Sequence, residues 1–246
     1  METGRTVVIT GAAGGMGVLF VKRFLANGDI VIATDTGEEA LKRLALDAAA
    51  GRELATIAGD LTDEDHGLRV AALAREKTGR VDVLVNAAGF FPVQPFLEMS
   101  SRDWRLVVDI NLTGTALIVK AVLPLMLGHG WGRIINIGSA SVYEGVAGQA
   151  HYVAAKAGVV GLSRSLAREF GEAGITVNVI APGLTLTPAA ERALPKELRD
   201  AQIERRALRR EQRAGDLVGT VLFLASPAAD FITSQTIIVD GGQYMI

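Results

Sequence analysis

The feature that most constrains the fold is a regular alternation of short apolar runs with longer stretches of helical periodicity. Several runs are apolar almost throughout rather than at every second residue, as expected for parallel strands covered by helices on both faces. Repeated βαβ units place such strands in one sheet. The pattern therefore predicts one α/β domain with a mostly parallel sheet. The six runs are 5–10, 30–34, 81–86, 133–137, 175–181 and 236–240.

A glycine-rich turn, TGAAGGMG over residues 10–17, stands between the first strand and the first helical stretch. Glycine is needed where a backbone turns sharply or approaches a pyrophosphate closely, and a helix N-terminus presents free N–H groups to an anion. Taken alone, such a stretch is equally compatible with an ordinary tight turn. Its position between a strand and a helix favours a dinucleotide site.

An acidic residue, Asp35, stands at the end of the second strand, eighteen residues beyond Gly17. At that distance a carboxylate accepts hydrogen bonds from the ribose of an adenosine, and its charge repels a 2′-phosphate. Neither Gly14 nor Thr36 offers a cation that offsets the repulsion. The sequence therefore predicts NAD rather than NADP; the alternative is that Asp35 only caps the following helix.

Composition limits the partners. Lys and Arg number 25 and Asp and Glu number 27, so no global field favours nucleic acid or an anionic membrane surface. With no cysteine, and with His66, His129 and His151 scattered, no metal site is expected. The N-terminus does not read as a leader, and no segment offers about 20 uninterrupted apolar residues. We expect a cytoplasmic protein whose partner is a small molecule.

A serine, a tyrosine and a lysine lie around the start of a long helical stretch. Ser139 follows the run 133–137, and Tyr152 and Lys156, four residues apart, share a helix face. A neighbouring ammonium stabilises a phenolate, so we expect the pKa of Tyr152 to fall from about 10 toward the working range. Such a tyrosine exchanges a proton with an alcohol oxygen, which predicts acid/base chemistry for carbonyl reduction.

In combination, these motifs resemble those of the short-chain dehydrogenase/reductase family over almost the whole chain. The family's TGxxxGxG motif matches residues 10–17, and its Ser and Tyr-xxx-Lys set matches Ser139, Tyr152 and Lys156. Its helix-breaking asparagine matches Asn111. The resemblance implies a single doubly wound (Rossmann) domain over residues 1–246, with a mostly parallel seven-stranded sheet flanked by helices.

The resemblance also implies roles for individual residues. Tyr152 is the general acid/base, Lys156 lowers its pKa and holds the nicotinamide ribose, and Ser139 orients the substrate oxygen. Asn111 positions a proton-relay water. The residues that the resemblance and the turn together assign to the NAD site are Gly11, Gly15, Met16, Gly17, Asp35, Asp60, Leu61, Asn86, Gly89, Tyr152, Lys156, Pro182, Gly183 and Thr187.

The chain departs from the family after the run 81–86, where Asn-Asn-Ala-Gly reads Asn86-Ala87-Ala88-Gly89. The first asparagine is retained. Loss of the second amide is expected to weaken a local hydrogen bond without abolishing cofactor binding.

Substrate identity is less constrained, because fold and cofactor do not determine it. Phe91 and Tyr143 are predicted to line an apolar pocket beside Ser139, although aromatic residues at strand ends are also ordinary core residues. The predicted substrate is a small hydrophobic secondary alcohol or ketone, aryl or alicyclic by resemblance to bacterial members. One alternative is a 3-oxoacyl-thioester reductase, which Asp35 argues against. A second is a non-catalytic NAD-binding sensor or scaffold, which the intact catalytic set argues against.

A charged, irregular stretch at about 185–213 is interpreted as a lid over the site. Its arginines are interleaved with glutamates, which favours a solvated lid helix over an anion site. The arginines are Arg205, Arg206, Arg209, Arg210 and Arg213.

Two helical stretches, 112–126 and 152–170, carry more apolar surface than one face needs. A subunit interface explains this, and the family resemblance implies a homotetramer. The alternative is that other helices of the same chain cover these faces.

Overall fold

The computed structural model describes residues 4–48 and 53–245. Over these residues the strands are β1 Thr6–Thr10, β2 Ile30–Asp35, β3 Leu54–Ala58, β4 Val83–Asn86, β5 Gly132–Ile137, β6 Ile175–Pro182, β7 Thr185–Leu186, β8 Gln212–Arg213 and β9 Thr236–Val239. The α-helices are α1 Gly17–Ala26, α2 Glu38–Ala48, α3 Glu64–Lys77, α4 Ser101–Val108, α5 Gly114–Val122, α6 Ser141–Glu144, α7 Ala150–Phe170, α8 Pro188–Ala193, α9 Lys196–Glu204 and α10 Gly215–Leu224.

The main sheet is parallel, with seven strands in the order β3-β2-β1-β4-β5-β6-β9. This confirms the predicted doubly wound α/β fold, and all six predicted strands are present to within two residues. Sequence reasoning missed β3, which forms one edge of the sheet. None of its five residues is fully buried, so it lacks the continuous apolar run that marks the interior strands.

The core has two halves, one on each face of the sheet, because successive side chains of a strand point to opposite faces. Val7 and Ile9 of β1 pack with helices α1, α2 and α10. Val8, between them, packs on the other face with α3, α5 and α7. Both faces are therefore covered, which is why the interior strands read as continuous apolar runs.

The strand order reverses between β1 and β4, which lie side by side at the centre of the sheet. In open α/β sheets, ligands bind at the carboxyl ends of the strands where the order reverses. The register places Thr10 opposite Asn86 at that edge. The glycine-rich turn and the turn that follows β4 therefore lie side by side at the edge of the sheet where such folds bind ligands.

One continuous helical run, Ser101–Leu125, is long and apolar enough to cross a membrane by length and composition alone. In the fold it is a packing element: α5 lies on α3, and α4 lies on α7. Ile118 and Val122 are fully buried there. Core helices of a layered α/β fold are apolar for this reason, so we assign α5 to the core, whereas α4 is largely exposed.

Residues 185–213 form an excursion between β6 and α10, built from α8 and α9 and held at its base by the pairing of β7 with β8. The predicted basic helix is not formed, although four of its five arginines are exposed as predicted, namely Arg205, Arg209, Arg210 and Arg213. Helix α9 ends at Glu204, before the arginine cluster begins. Arg206 is only 4% exposed, and its guanidinium donates to the carbonyl oxygens of Leu184 and Arg210. That the excursion acts as a lid stays a prediction.

Candidate active site

The glycine-rich turn packs too tightly for side chains at three of its positions. A Cβ on Gly11, whose φ is +61°, would lie 2.7 Å from the Ala88 Cα atom, and one on Gly17 would lie 2.1 Å from the Gly11 carbonyl oxygen. A Cβ on Gly15 would lie 2.9 Å from the Thr187 side chain. The turn is therefore a cradle that a side chain would fill, and with the N-terminus of α1 it fits a pyrophosphate.

Asp35 ends β2, as predicted, and its carboxylate accepts two backbone hydrogen bonds. Ala13 N–H of the glycine-rich turn donates to Oδ2 (3.0 Å), and Gly37 N–H donates to Oδ1 (3.2 Å). The second bond closes a local turn just before α2, so the alternative prediction, that Asp35 caps the following helix, is partly right. The first bond connects Asp35 to the cradle, where a half-buried carboxylate fits the ribose of an adenosine.

Asp60 and Leu61 follow β3 at the same edge of the sheet. The exposed Asp60 carboxylate accepts from the amide (2.9 Å) and the hydroxyl (2.8 Å) of Thr62. Leu61 packs against Gly114, where a Cβ would lie 3.1 Å from the leucine side chain. The register pairs Asp35 with Ala58, two residues before Asp60, and by family resemblance the pair Asp60 and Leu61 is expected to contact the adenine.

The turn after β4 keeps its shape without the second asparagine. The Asn86 amide donates to the Asn136 side-chain oxygen (2.8 Å). The amides of Ala87 and Ala88 both donate to the Thr10 hydroxyl, at 3.2 and 3.3 Å. Thr10, which sequence reasoning did not single out, thus holds this turn beside Gly11.

Asn111 lies in a π-helical turn, Asp109–Thr113, between α4 and α5, and is fully buried. Such widened turns are frequent at functional sites. Its amide donates to the carbonyl oxygens of Phe90 (2.7 Å) and Val107 (2.9 Å), and its Oδ1 accepts from Phe90 N–H (3.2 Å). Asn111 therefore fixes the backbone directly after Gly89.

Gly89 lies between Asn111 and Lys156. A Cβ added to Gly89 would lie 3.2 Å from Asn111 Oδ1 and 3.6 Å from Lys156 Nζ. A glycine here lets the chain pass the amide and the ammonium without crowding either. The predicted cofactor residue Gly89 thus joins two predicted catalytic residues.

Ser139, Tyr152 and Lys156 come together where β5 ends and α7 begins. The Tyr152 and Ser139 side chains are hydrogen-bonded, and Ser139 Oγ also accepts from the Ser141 hydroxyl (2.7 Å). Lys156 is 3% exposed and donates from Nζ to the Ile137 carbonyl oxygen (2.8 Å). Its Nζ lies 5.7 Å from the centroid of the Tyr152 ring.

The direction predicted for the Tyr152 pKa is wrong for this structure. Burial raises the pKa of Tyr152 to about 12, and the Ser139 hydrogen bond opposes the rise. Burial also lowers the pKa of Lys156 to about 8. Sequence reasoning considered the lysine charge and left out desolvation, which disfavours the charged form of both groups.

Of the two predicted substrate residues, Phe91 contacts the tyrosine. The Phe91 ring contacts the Tyr152 ring edge to face, with centroids 6.1 Å apart. Tyr143 lies in α6, four residues after Ser139, and is half-buried. Phe91 therefore contacts the candidate acid/base directly, and Tyr143 lies on the short helix that follows the serine.

Pro182, Gly183 and Thr187 follow β6 toward the glycine-rich turn. Pro182 accepts from Ala140 N–H (2.8 Å), next to Ser139. Thr187 caps α8 through its hydroxyl, which accepts from Ala190 N–H (3.2 Å), and its side chain packs on Gly15. The excursion thus begins at the cofactor cradle.

The outer arginines of the excursion are paired. Arg205 donates to the Glu144 carboxylate of α6, and Arg210 forms an ion pair with Asp216 (2.7 Å). The Tyr244 hydroxyl also donates to Glu144, so α6, the residue that follows α9 and the C-terminal segment meet at one carboxylate. These contacts neutralise two of the cluster's arginines and tie the excursion to the helix after Ser139.

Comparison with known proteins agrees with this geometry. Residues 11–243 match the family described as Enoyl-(Acyl carrier protein) reductase. The chain is 38% identical to 3-oxoacyl-[acyl-carrier-protein] reductase FabG of Salmonella typhimurium, over 99% of this chain and 98% of that protein. It is 37% identical to the (2S)-[(R)-hydroxy(phenyl)methyl]succinyl-CoA dehydrogenase subunit BbsD of Thauera aromatica, over 97% and 96%.

Among solved structures, the chain is similar to a short-chain dehydrogenase/reductase of Brucella melitensis described as glucose/ribitol dehydrogenase. The TM-score is 0.95 at 35% identity, and the match covers 100% of this chain and 99% of that one. The similarity therefore includes the excursion as well as the sheet.

Proposed function

Since the chain belongs to the short-chain dehydrogenase/reductase family, we propose that it interconverts a small hydrophobic secondary alcohol and its ketone, with NAD as the cofactor. Membership of the family makes it an oxidoreductase that uses a nicotinamide cofactor. The proposal of this substrate class and of NAD rests on one observation. Four side chains lie together beside the cradle that ends at Asp35, namely Ser139, Tyr152, Lys156 and Asn111.

The nicotinamide of a bound cofactor supplies or accepts the hydride. The chain's residues then orient the substrate and move one proton. Ser139 Oγ and the Tyr152 hydroxyl are bonded to each other in the structure; when a substrate oxygen replaces that bond, each hydroxyl can donate its one proton to the substrate. In the reductive direction the Tyr152 hydroxyl gives its proton to the carbonyl oxygen as the hydride reaches the carbon, and in oxidation it takes that proton back.

Lys156 and Asn111 assist Tyr152 in its role as acid and base. The ammonium, held by the Ile137 carbonyl oxygen, places a positive charge 5.7 Å from the Tyr152 ring centroid, which favours the phenolate when the proton leaves. Asn111 holds the Phe90 backbone through two hydrogen bonds and keeps Gly89 open between itself and Lys156. We assign Asn111 to positioning that edge of the site and, by family resemblance, a proton-relay water.

The choice of NAD is supported by the charge at the adenosine end. Asp35 is anchored by Ala13 N–H, so its carboxylate stays at the ribose position rather than turning away. A 2′-phosphate there meets a fixed negative charge, and neither Gly14 nor Thr36 carries a cation.

The variant Asp35→Ala combined with Thr36→Arg is expected to shift the preference toward NADP. We expect the ratio of kcat/KM with NADPH to kcat/KM with NADH to rise roughly 100-fold, since a repulsion is removed and a charge-assisted hydrogen bond is gained. The value with NADH falls, because the ribose loses the Asp35 carboxylate and Ala13 N–H loses its acceptor. Steady-state assays with each cofactor measure the ratio.

The matched control is Asp47→Ala, an exposed aspartate on α2 that is expected to leave the ratio unchanged. An unchanged NAD preference in the double variant would remove Asp35 as the determinant.

A second candidate function is reduction of a 3-oxoacyl thioester, which is favoured by the name of the Salmonella relative. Two observations support the smaller substrate instead. Asp35 disfavours NADPH, and Arg205 and Arg210 at the excursion are neutralised by Glu144 and Asp216 rather than left for an anionic carrier. The name of the Thauera relative describes a substrate with both a hydroxy(phenyl)methyl group and a coenzyme A thioester, so it is consistent with an aryl secondary alcohol and does not separate the two candidates.

A substrate panel separates these functions. NADH and NADPH absorbance is followed with aryl and alicyclic ketones, the matching alcohols, and acetoacetyl thioesters. We expect the highest kcat/KM with NADH and a hydrophobic ketone. A higher value for acetoacetyl thioesters would establish the second candidate, and NADH binding without turnover of any compound would establish a sensor or scaffold.

We also propose that the chain is a homo-oligomer, a tetramer by family resemblance. Same-chain helices cover part of the apolar surface of α5 and α7. The outer face of α7 nevertheless exposes the small residues Ala154, Ala157 and Gly161, and Trp104 and Leu106 of α4 are exposed at 37% and 47%.

Light scattering on the eluting protein is expected to give a mass of four chains. The variant Ala157→Arg places a long charged side chain on the outer face of α7 and is expected to reduce the number of chains in the assembly. Ala72→Arg, at an exposed alanine of α3, is the matched control. A clean monomer for the unmodified chain would contradict the proposal.

A further inference from the structure

A buried histidine, His66, lies under the adenosine end of the proposed cofactor site. It is near the start of α3 and is fully buried. Its Nε2 lies 2.7 Å from the hydroxyl oxygen of Thr34, the residue before Asp35. Sequence reasoning treated His66 only as one of three scattered histidines.

The His66 ring occupies the space that a side chain at position 59 would need. A Cβ added to Gly59 would lie 2.1 Å from His66 Nδ1 and 2.5 Å from Cε1. Gly59 is therefore glycine because of the ring, since its backbone needs no positive φ. Gly59 connects β3 to Asp60, so the ring packs against the backbone that leads to the proposed adenine contact.

Two backbone hydrogen bonds connect this position to the rest of the cofactor cradle. Gly59 N–H donates to the Asp35 carbonyl oxygen (3.0 Å), and Ala12 N–H of the glycine-rich turn donates to the Thr34 carbonyl oxygen (3.1 Å). His66 contacts Gly59 and Thr34 and so touches one residue of each of these two bonds. The ring lies where the glycine-rich turn, β2 and the end of β3 join.

The charges around the ring favour its neutral form. Burial lowers the pKa of His66, and the Arg69 guanidinium adds to this, while Asp63 and Asp60 oppose it. Arg69 Nη2 lies 3.5 Å from Nδ1 and can only donate, so Nδ1 is the acceptor. Nε2 then carries the proton and donates to the Thr34 hydroxyl.

We propose that His66 is a positioning residue for the adenosine half of the dinucleotide. By filling the space over Gly59 and bonding Thr34, it holds the Asp35 and Asp60 carboxylates at a fixed separation along the sheet edge. The inference rests on the proposed NAD function. The inference goes beyond that function because it assigns the geometry of the adenosine subsite to a side chain outside the sequence motifs.

The test compares a ligand that has the adenosine half with one that lacks it. Binding of ADP-ribose, NADH and reduced nicotinamide mononucleotide is measured by calorimetry for the wild type and for His66→Ser. We expect the Kd for ADP-ribose and NADH to rise about tenfold, with the Kd for the mononucleotide unchanged. At saturating NADH, kcat is expected to stay within about twofold. The control is His129→Ser, an exposed histidine.

A second variant tests the packing between His66 and Gly59. Gly59→Ala alone is expected to weaken ADP-ribose binding about tenfold, because its Cβ displaces the ring. In the His66→Ser background the same alanine has room, so Gly59→Ala is expected to add no further loss. This non-additivity identifies the contact between the two positions.

The outcomes are distinguishable. A wild type that binds neither NADH nor ADP-ribose would overturn the proposed function and this inference with it. A wild type that binds both, with His66→Ser binding equally well, would overturn the inference alone. A parallel loss of mononucleotide affinity would also overturn it, since the effect would then be general destabilisation.

Discussion

Tyr152→Phe is expected to lower kcat for ketone reduction and for alcohol oxidation by about 1,000-fold, the scale of a lost general acid/base. The phenylalanine keeps the ring contact with Phe91 and loses only the hydroxyl that is bonded to Ser139. We therefore expect a melting temperature near that of the wild type and a Kd for NADH within a few-fold. Steady-state kinetics, thermal unfolding and NADH titration measure the three quantities.

The pH profile distinguishes this role from a packing role. With its pKa raised to about 12, Tyr152 is protonated at neutral pH and ready to act as an acid. Oxidation needs the phenolate, so the wild-type oxidation rate is expected to rise with pH, and the residual rate of Tyr152→Phe to lose that rise. Tyr244→Phe is the control. A phenylalanine variant that keeps most of its turnover would contradict the assignment.

Lys156→Met is expected to lower turnover by about 100-fold or more while making the fold more stable at pH 7. The lysine is 3% exposed and its pKa is lowered to about 8, so the folded chain carries a desolvated ammonium below that pH. Methionine removes this cost and gives up the hydrogen bond to the Ile137 carbonyl oxygen. The net gain is about 1 to 2 kcal/mol, or a few degrees in melting temperature.

The sign of the pH dependence follows from the lowered pKa. Below about 8 both folded and unfolded chains hold the proton, and the cost of burying the charge is fully present. Between that value and the ordinary pKa of 10.5 the folded chain releases its proton first, so wild-type stability rises with pH and the advantage of Lys156→Met shrinks. Lys77→Met, at an exposed lysine of α3, is the control. An equal advantage at pH 7 and pH 10.5 would contradict this account.

The sequence predicted the parts of the fold that depend on local pattern. Interior strands such as β1 and β6 read as continuous apolar runs because helices cover both faces. The edge strand β3 gave no such signal, since it is only partly buried. Arg206 was predicted to be solvated because its neighbours are charged, and its burial depends on the carbonyl oxygens of Leu184 and Arg210, just before β7 and β8, which no local pattern reveals.

The candidate site also divides into residues that local spacing predicts and features that depend on burial in the folded chain. Gly11, Asp35, Ser139, Tyr152 and Lys156 were found by spacing, because each stands at a fixed place relative to a strand end or helix turn. The raised pKa of Tyr152 and the packing of His66 on Gly59 could not be found in this way. Both depend on how deeply a side chain is covered by elements distant in sequence.

The most direct test of the account is to follow the hydride itself. NADH deuterated at the transferable position of the nicotinamide is incubated with the hydrophobic ketone that gives the highest kcat/KM, and the product is analysed by mass spectrometry and NMR. We predict one deuterium on the carbinol carbon for each NADH oxidised, and this transfer should fall about 1,000-fold in Tyr152→Phe. A product alcohol without deuterium, or no oxidation of NADH by any ketone, would contradict the account.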